Sequence, residues 1–137
     1  MVQAKPKKPL PLIEPETQAF WEAAKRHEFT LQKCQNCGAY YFPATDCNKC
    51  SSPKMEWVQA SGKGKVFTFI TMHQLYHPSF EGEIPYNVSI IELAEGPFMM
   101  SNVVDIPADD VKIGMPVEVV FEDVNDEVAM PRFKPAK

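Results

Sequence analysis

The chain has 137 residues, 45% of them hydrophobic, with 14 Lys and Arg against 18 Asp and Glu and a formal charge of -4. That length allows one ordinary domain, no apolar run approaches the ~20 residues of a membrane span, and the acidic balance weighs against wrapping a polyanion, because nucleic-acid affinity comes largely from clustered Lys and Arg. No apolar signal core follows the N-terminal lysines, so a soluble, cytoplasmic protein is expected.

Residues 1–13 form a basic, Pro-rich arm carrying Lys5, Lys7 and Lys8. Its simplest reading is a flexible tail, and the alternative is an arm lying along a partner. Glu14-Pro15-Glu16-Thr17 then supplies a proline and acids where a helix starts, predicting an amphipathic helix over residues 14–28. Ala19, Phe20, Ala23, Ala24 and His27 share one face, with Trp21 at its border. Two readings stay open for Phe20 and Trp21: packing on the chain's own core, or presentation to a partner, whose anchors are enriched in aromatics.

Residues 29–58 hold Cys34-Gln35-Asn36-Cys37 and Cys47-Asn48-Lys49-Cys50, nine residues apart. Each C-x-x-C wraps one edge of a metal as a tight turn, and two facing turns supply four tetrahedral thiolates, so Zn2+ is the expected ion. Gly38 follows the first pair where the turn needs a permissive backbone, Ala39 to Phe42 read as a short strand, and Pro43 and Asp46 mark the return. Four thiolates leave no open position for substrate, which makes the site structural. The competing readings, a redox pair and two disulfides, lack the thioredoxin-like context or the secretory signal they require. Zinc binding contributes ~10–16 kcal/mol in comparable peptides, enough to fold a ribbon too small for its own core.

In residues 59–137 and just before them the period changes to two. Strands are predicted at Glu56 to Ala60, Lys65 to Met72, Asn87 to Leu93, Phe98 to Val104 and Val117 to Glu122. Ser61-Gly62-Lys63-Gly64 supplies a turn or bulge, and Ala94-Glu95-Gly96-Pro97 a hairpin turn. Five short strands with a glycine-bearing bend point to an OB-like barrel, with the tail from Val128 to Pro135 as a candidate further strand. The fold class is therefore mainly β, with an N-terminal helix, a zinc ribbon and a five-stranded OB-fold barrel.

The Phe20-Trp21-Glu22-Ala23-Ala24 run, the Cys34 to Cys50 ribbon with Tyr40, Tyr41 and Phe42, and the segments Gly62 to Phe69, Pro85 to Val88, Ile91 to Pro97 and Ile113 to Val119 resemble the DUF35 family in the same order. These are acyl-CoA-associated proteins with a rubredoxin-like zinc ribbon followed by an OB-fold. The resemblance implies a non-catalytic accessory subunit of a hetero-oligomer, usually with a thiolase that cleaves or forms β-ketoacyl-CoA, benzoylsuccinyl-CoA being one such substrate. MaoC-type enoyl-CoA hydratases and thiolase-like aldolases are the alternative partners. It also implies that CoA or acyl-CoA is a ligand shared with the partner. Lys33, Lys63 and Lys65 are candidates to neutralise its phosphates where Gly62 and Gly64 permit close backbone approach, against the reading that they are ordinary solvated lysines.

All four cysteines are used as ligands, so none is left as a nucleophile and no catalytic residue is assigned. His73 and His77, with Tyr76 and Glu81 nearby, are the strongest candidates for chemistry, but Pro78 and Gly82 argue for a loop where i, i+4 spacing has no meaning. Tyr76, His77 and Phe80 are read instead as contacts to the partner or lining of an acyl channel. The rival of another class is a nucleic-acid-binding OB module. The acidic groups at Glu81-Gly82-Glu83, Asp109-Asp110 and Glu122-Asp123 oppose it.

Overall fold

The structure, a computed structural model, describes residues 10–42 and 46–136. Lys5, Lys7, Lys8 and Pro43 lie outside the described residues.

Helix α1 (Gln18–Lys25) is shorter than the predicted 14–28. His27 takes a left-handed conformation (φ 60), the His27 amide donates to the Ala24 carbonyl (2.8 Å) and the Glu28 amide to the Ala23 carbonyl (2.9 Å). This is a Schellman ending, which stops the helix and satisfies its last carbonyls. Glycine is the usual residue there; His27 is held by stacking on Phe121 (ring centroids 5.3 Å apart) and by donating from Nε2 to Asp123 (2.8 Å). Phe20, Ala23 and Ala24 are buried, while Ala19 and His27, expected on the same face, are exposed.

Three strands make the ribbon sheet: β1 (Thr30–Cys34), β2 (Tyr40–Tyr41) and β3 (Met55–Gln59), in the order β2-β1-β3. β3 runs antiparallel to β1 from Thr30 opposite Gln59 to Cys34 opposite Met55. The segment expected as the first barrel strand therefore belongs to the ribbon sheet.

The second sheet holds β4 (Lys63–Met72), β5 (Tyr86–Leu93), β6 (Phe98–Ser101), β7 (Pro116–Asp123) and β8 (Ala129–Pro135), ordered β6-β5-β4-β7-β8. The tail is thus its fifth strand. Just beyond β6, Val103 bridges Phe133 of β8 in parallel, and the Phe133 amide donates to the Asn102 carbonyl (3.0 Å). These bonds curl the sheet into a five-stranded OB-like barrel. β4 serves both halves: it pairs with β7 over Lys63 to Lys65 and with β5 from Gly64 to Met72, with an irregularity between Val66 and Thr68 that admits the bend.

Gly62 and Gly64 are not open to a ligand. A Cβ on Gly64 would lie 2.6 Å from the Glu92 carbonyl oxygen and 2.9 Å from Ile91 Cγ2, and one on Gly62 would meet Val119 Cγ1. The close approach they permit is made by the chain's own β5 and β7.

One apolar core joins the two sheets. Phe20 sits at its centre, 1% exposed, with the rings of Phe42 (4.5 Å), Trp21 (5.1 Å), Phe29 and Trp57 (both 6.2 Å) around it. Phe29 in turn meets Phe133 of the barrel at 6.2 Å. The reading of Phe20 as a surface anchor is therefore corrected: its whole ring is buried inside this chain, and Trp21 is the half-buried member of the pair.

Candidate metal centre and the surfaces around it

Cys34 ends β1, Cys37 closes the turn after it, and Cys47 and Cys50 lie on a second turn brought back by β3. The Gly38 amide donates to the Cys34 carbonyl (2.9 Å) with φ +82 at Gly38, and the Ser51 amide donates to the Cys47 carbonyl (2.7 Å) with φ 64 at Ser51. The two turns thus share one geometry, each ending in a left-handed residue after its second cysteine.

All four Sγ atoms lie within 4.8 Å of one another, with Cys34 and Cys50 3.5 Å apart and Cys37 and Cys47 3.4 Å apart. A tetrahedral ion with Zn–S bonds of ~2.3 Å needs sulfur spacings of about 3.8 Å. A disulfide needs ~2.05 Å, and all four cysteines are free. Four thiol groups packed this closely cannot all ionise unaided, and their acidities split accordingly. Cys47 is held down at about 6, first by the Tyr41 hydroxyl and against the effect of burial. Cys37 has an amide from Ala39 favouring its thiolate, but Cys47, burial, Cys34 and Cys50 outweigh it and push it up to about 12. A divalent cation reconciles four thiolates at one point, so the donor set fits zinc.

A partner of this site that the sequence did not reveal is Tyr41 of β2. Its hydroxyl lies 3.1 Å from Cys47 Sγ and 2.6 Å from Asn48 Oδ1, two acceptors that share its one proton, and it accepts the Asn48 amide (3.2 Å). Only the three-dimensional return of the second turn brings residues 41, 47 and 48 together; a tyrosine before the second C-x-x-C carries no such signal in one sequence.

The lysines do not form one cluster with the glycines. Lys33 lies on β1 with Nζ 5.6 Å from the Tyr40 ring centroid, a cation–π contact. Lys63 and Lys65 stand on β4 in the other sheet, Lys65 paired with Glu92 (3.3 Å) and Lys63 exposed. His77 caps a 3-10 turn over Pro78–Phe80, its Nδ1 accepting the Ser79 amide (3.1 Å), and His73 is exposed. Phe80 stacks on Tyr86 (5.4 Å) and lines a cleft of about 440 Å³ at the barrel mouth with Ile106, Val124 and Arg132. Tyr76 is 69% exposed and does not line that cleft.

A ribbon with four clustered thiols docked on a small closed barrel defines a zinc-ribbon and OB-fold protein. Residues 21–56 match the family profile described as ChsH2, rubredoxin-like zinc ribbon domain, and residues 57–122 that described as ChsH2, C-terminal OB-fold domain. The chain belongs to the DUF35 family. It is 41% identical over 97 residues to a DUF35 domain-containing scaffold protein of Methanocaldococcus jannaschii, covering 69% of this chain and 68% of that one. It is 36% identical over 137 residues, 98% of its length, to a probable enoyl-CoA hydratase alpha subunit of Thermomonospora curvata, of which it spans 42%. Among solved structures it superposes on a chain of the Ltp2-ChsH2(DUF35) aldolase with a TM-score of 0.84 at 35% identity, covering 93% of this chain and all of that one. The ribbon and its four cysteines support a structural zinc.

Proposed function

We propose that this chain is a non-catalytic accessory subunit that assembles with an enzyme acting on acyl-CoA, its fold held by one zinc on Cys34, Cys37, Cys47 and Cys50. The observation that carries the reading is that nearly the whole of this two-part unit recurs as 42% of a longer hydratase alpha subunit and also as a complete chain in an aldolase assembly. A unit that recurs both within a longer hydratase subunit and as a chain of an aldolase structure is suited to standing beside an active site. The chemistry then belongs to the partner, in keeping with thiols committed to metal and a His77 committed to a turn.

The similarity to hydratase alpha subunits and to a chain of an aldolase favours a hydratase or an aldolase as the partner. A thiolase, with an aromatic β-ketoacyl-CoA such as benzoylsuccinyl-CoA, is the reading implied by the resemblance in sequence. CoA or acyl-CoA is a ligand shared with the partner in either case, with Lys33, Lys63 and Lys65 as the candidates on this chain to meet its phosphates, Lys65 already being paired with Glu92. Mild affinity purification from native cells tests the proposal: a stoichiometric acyl-CoA enzyme is expected to co-elute, and its identity separates hydratase, aldolase and thiolase. Recovery of nucleic acid with no enzyme refutes it.

A further inference from the structure

The outer face of β4, β5 and β6 is apolar and, among the described residues, uncovered. Residues opposite one another in register share a face of the sheet. Ile70 opposes Val88, Ile90 sits between Thr68 and Met100, and Glu92 between Lys65 and Phe98. Phe67, at the irregularity in β4, reaches the same face and meets the Phe98 ring edge-on at 4.9 Å. Phe67, Ile70, Phe98 and Met100 are 52%, 55%, 50% and 68% exposed. At roughly half the ~200 Å² that a large side chain offers, these four present about 400 Å². Val88, Ile90 and Met72, each only partly exposed, bring the face to roughly 500–600 Å², about two thirds of the ~800 Å² that one side of a stable interface buries.

Three further features bear on what covers it. Lys65 and Glu92 pair with each other at its end, so the face carries no unpaired charge and suits neither phosphate nor an acidic or basic peptide. At the opposite border, Trp21, Val88, Met100 and Met130 line a mostly apolar socket of about 410 Å³, whose charged lining residue, Arg132, is paired with Glu122 (3.3 Å); such a pocket takes an anchoring side chain. Finally, Thr68 to Met72 pair only with β5 among the described residues. That free edge holds no Pro, Lys or acid of the kind that blunts an exposed strand.

We infer that this face, from Phe98 across Ile90 and Ile70 to the Trp21 socket, is where the enzyme subunit docks, and that the partner element is apolar and uncharged with one protruding side chain. The inference rests on the accessory-subunit reading and adds the surface to it. The area is that of the apolar core of a heteromeric interface, leaving a polar rim to complete it, and the strand face beside the barrel loops is where OB-folds bind.

The test uses the full chain with zinc and the enzyme subunit recovered by native purification. Binding is measured for wild type, Ile70→Lys, Met100→Lys and a control, Asp109→Lys, on an exposed 3-10 turn elsewhere. The two lysines sit at exposed positions, so melting temperature and zinc content stay at wild-type values, while affinity falls on the order of a hundredfold and the control binds as wild type. Hydrogen exchange on the wild-type complex is the second readout, with protection expected at residues 67–72 and 98–101. Undiminished binding by both lysine variants, or protection that spares those strands, overturns the surface and leaves the accessory role standing. A wild-type chain that binds no enzyme subunit overturns both, and one that instead forms a dimer dissociated by Met100→Lys assigns the face to a second copy and overturns the inference.

Discussion

Replacing Phe20 with Ala separates a core residue from a partner anchor. The ring is 1% exposed and touches four other aromatic rings at 4.5–6.2 Å, drawn from the helix, both sides of the ribbon and the segment leading into β1. Removing a buried phenyl group loses its transfer free energy and leaves a cavity that a ring of rigid aromatics fills poorly, for a loss of about 3–5 kcal/mol. For a chain of this size that corresponds to a fall in melting temperature of roughly 10–20 °C. Urea unfolding of the isolated chain at saturating zinc reads it directly, as a lower midpoint with an unchanged slope. Because the loss arises inside this chain, it appears with no partner present. A change below about 1 kcal/mol in the isolated chain, with binding to the enzyme subunit weakened, would refute the packing described and restore Phe20 to the surface.

Gly64→Ala forces a methyl group to within 2.6 Å of a backbone carbonyl on β5 that has no freedom to retreat, and a loss of about 2–3 kcal/mol is expected in the same urea assay. Asn87 is 4% exposed, donates to the Val103 carbonyl, and accepts the Val103 amide (2.8 Å) and the Ser89 hydroxyl (2.9 Å). Asn87→Ala strands those groups, with about 2–4 kcal/mol lost and hydrogen exchange accelerated at Val103. Tyr41→Phe removes the hydroxyl beside Cys47 and Asn48 and is expected to speed zinc transfer to a chromophoric chelator roughly tenfold. Acid acts in the same direction: zinc binds thiolates, protons compete for them, and retention falls as pH is lowered, so release that is independent of pH would exclude the four-thiolate site.

What was legible in the sequence is what depends on short spacing. Two C-x-x-C turns fix the metal site locally, so Cys34, Cys37, Cys47 and Cys50 came together as expected. Strand membership depends on distant pairing and was less legible. Glu56 to Ala60 has the alternation of a barrel strand, yet its partner is β1, because the second cysteine turn returns the chain beside the first. The tail was obscured by Pro131 and Pro135, residues that deplete strands. In β8 the Phe133 amide and carbonyl both point toward the segment after β6, so residues two away place their missing N–H on that side and spare the ladder with β7. Gly62 and Gly64 show the same ambiguity at a site: a glycine marks close approach, and only the fold says whether the visitor is a ligand or the chain's own Glu92 and Val119. Phe20 and Trp21, adjacent in sequence, could not be told apart until the helix was docked.

Turnover measured on separated and recombined subunits decides whether this chain supports an acyl-CoA enzyme without performing its reaction. With the acyl-CoA substrate of the co-purifying enzyme, the expected result is no turnover by the zinc-loaded chain alone, weak or no turnover by the enzyme subunit alone, and full activity on mixing, retained when His73 and His77 are both replaced by Ala. Turnover by the isolated chain, or loss of activity in an intact complex carrying the two histidine replacements, would contradict it.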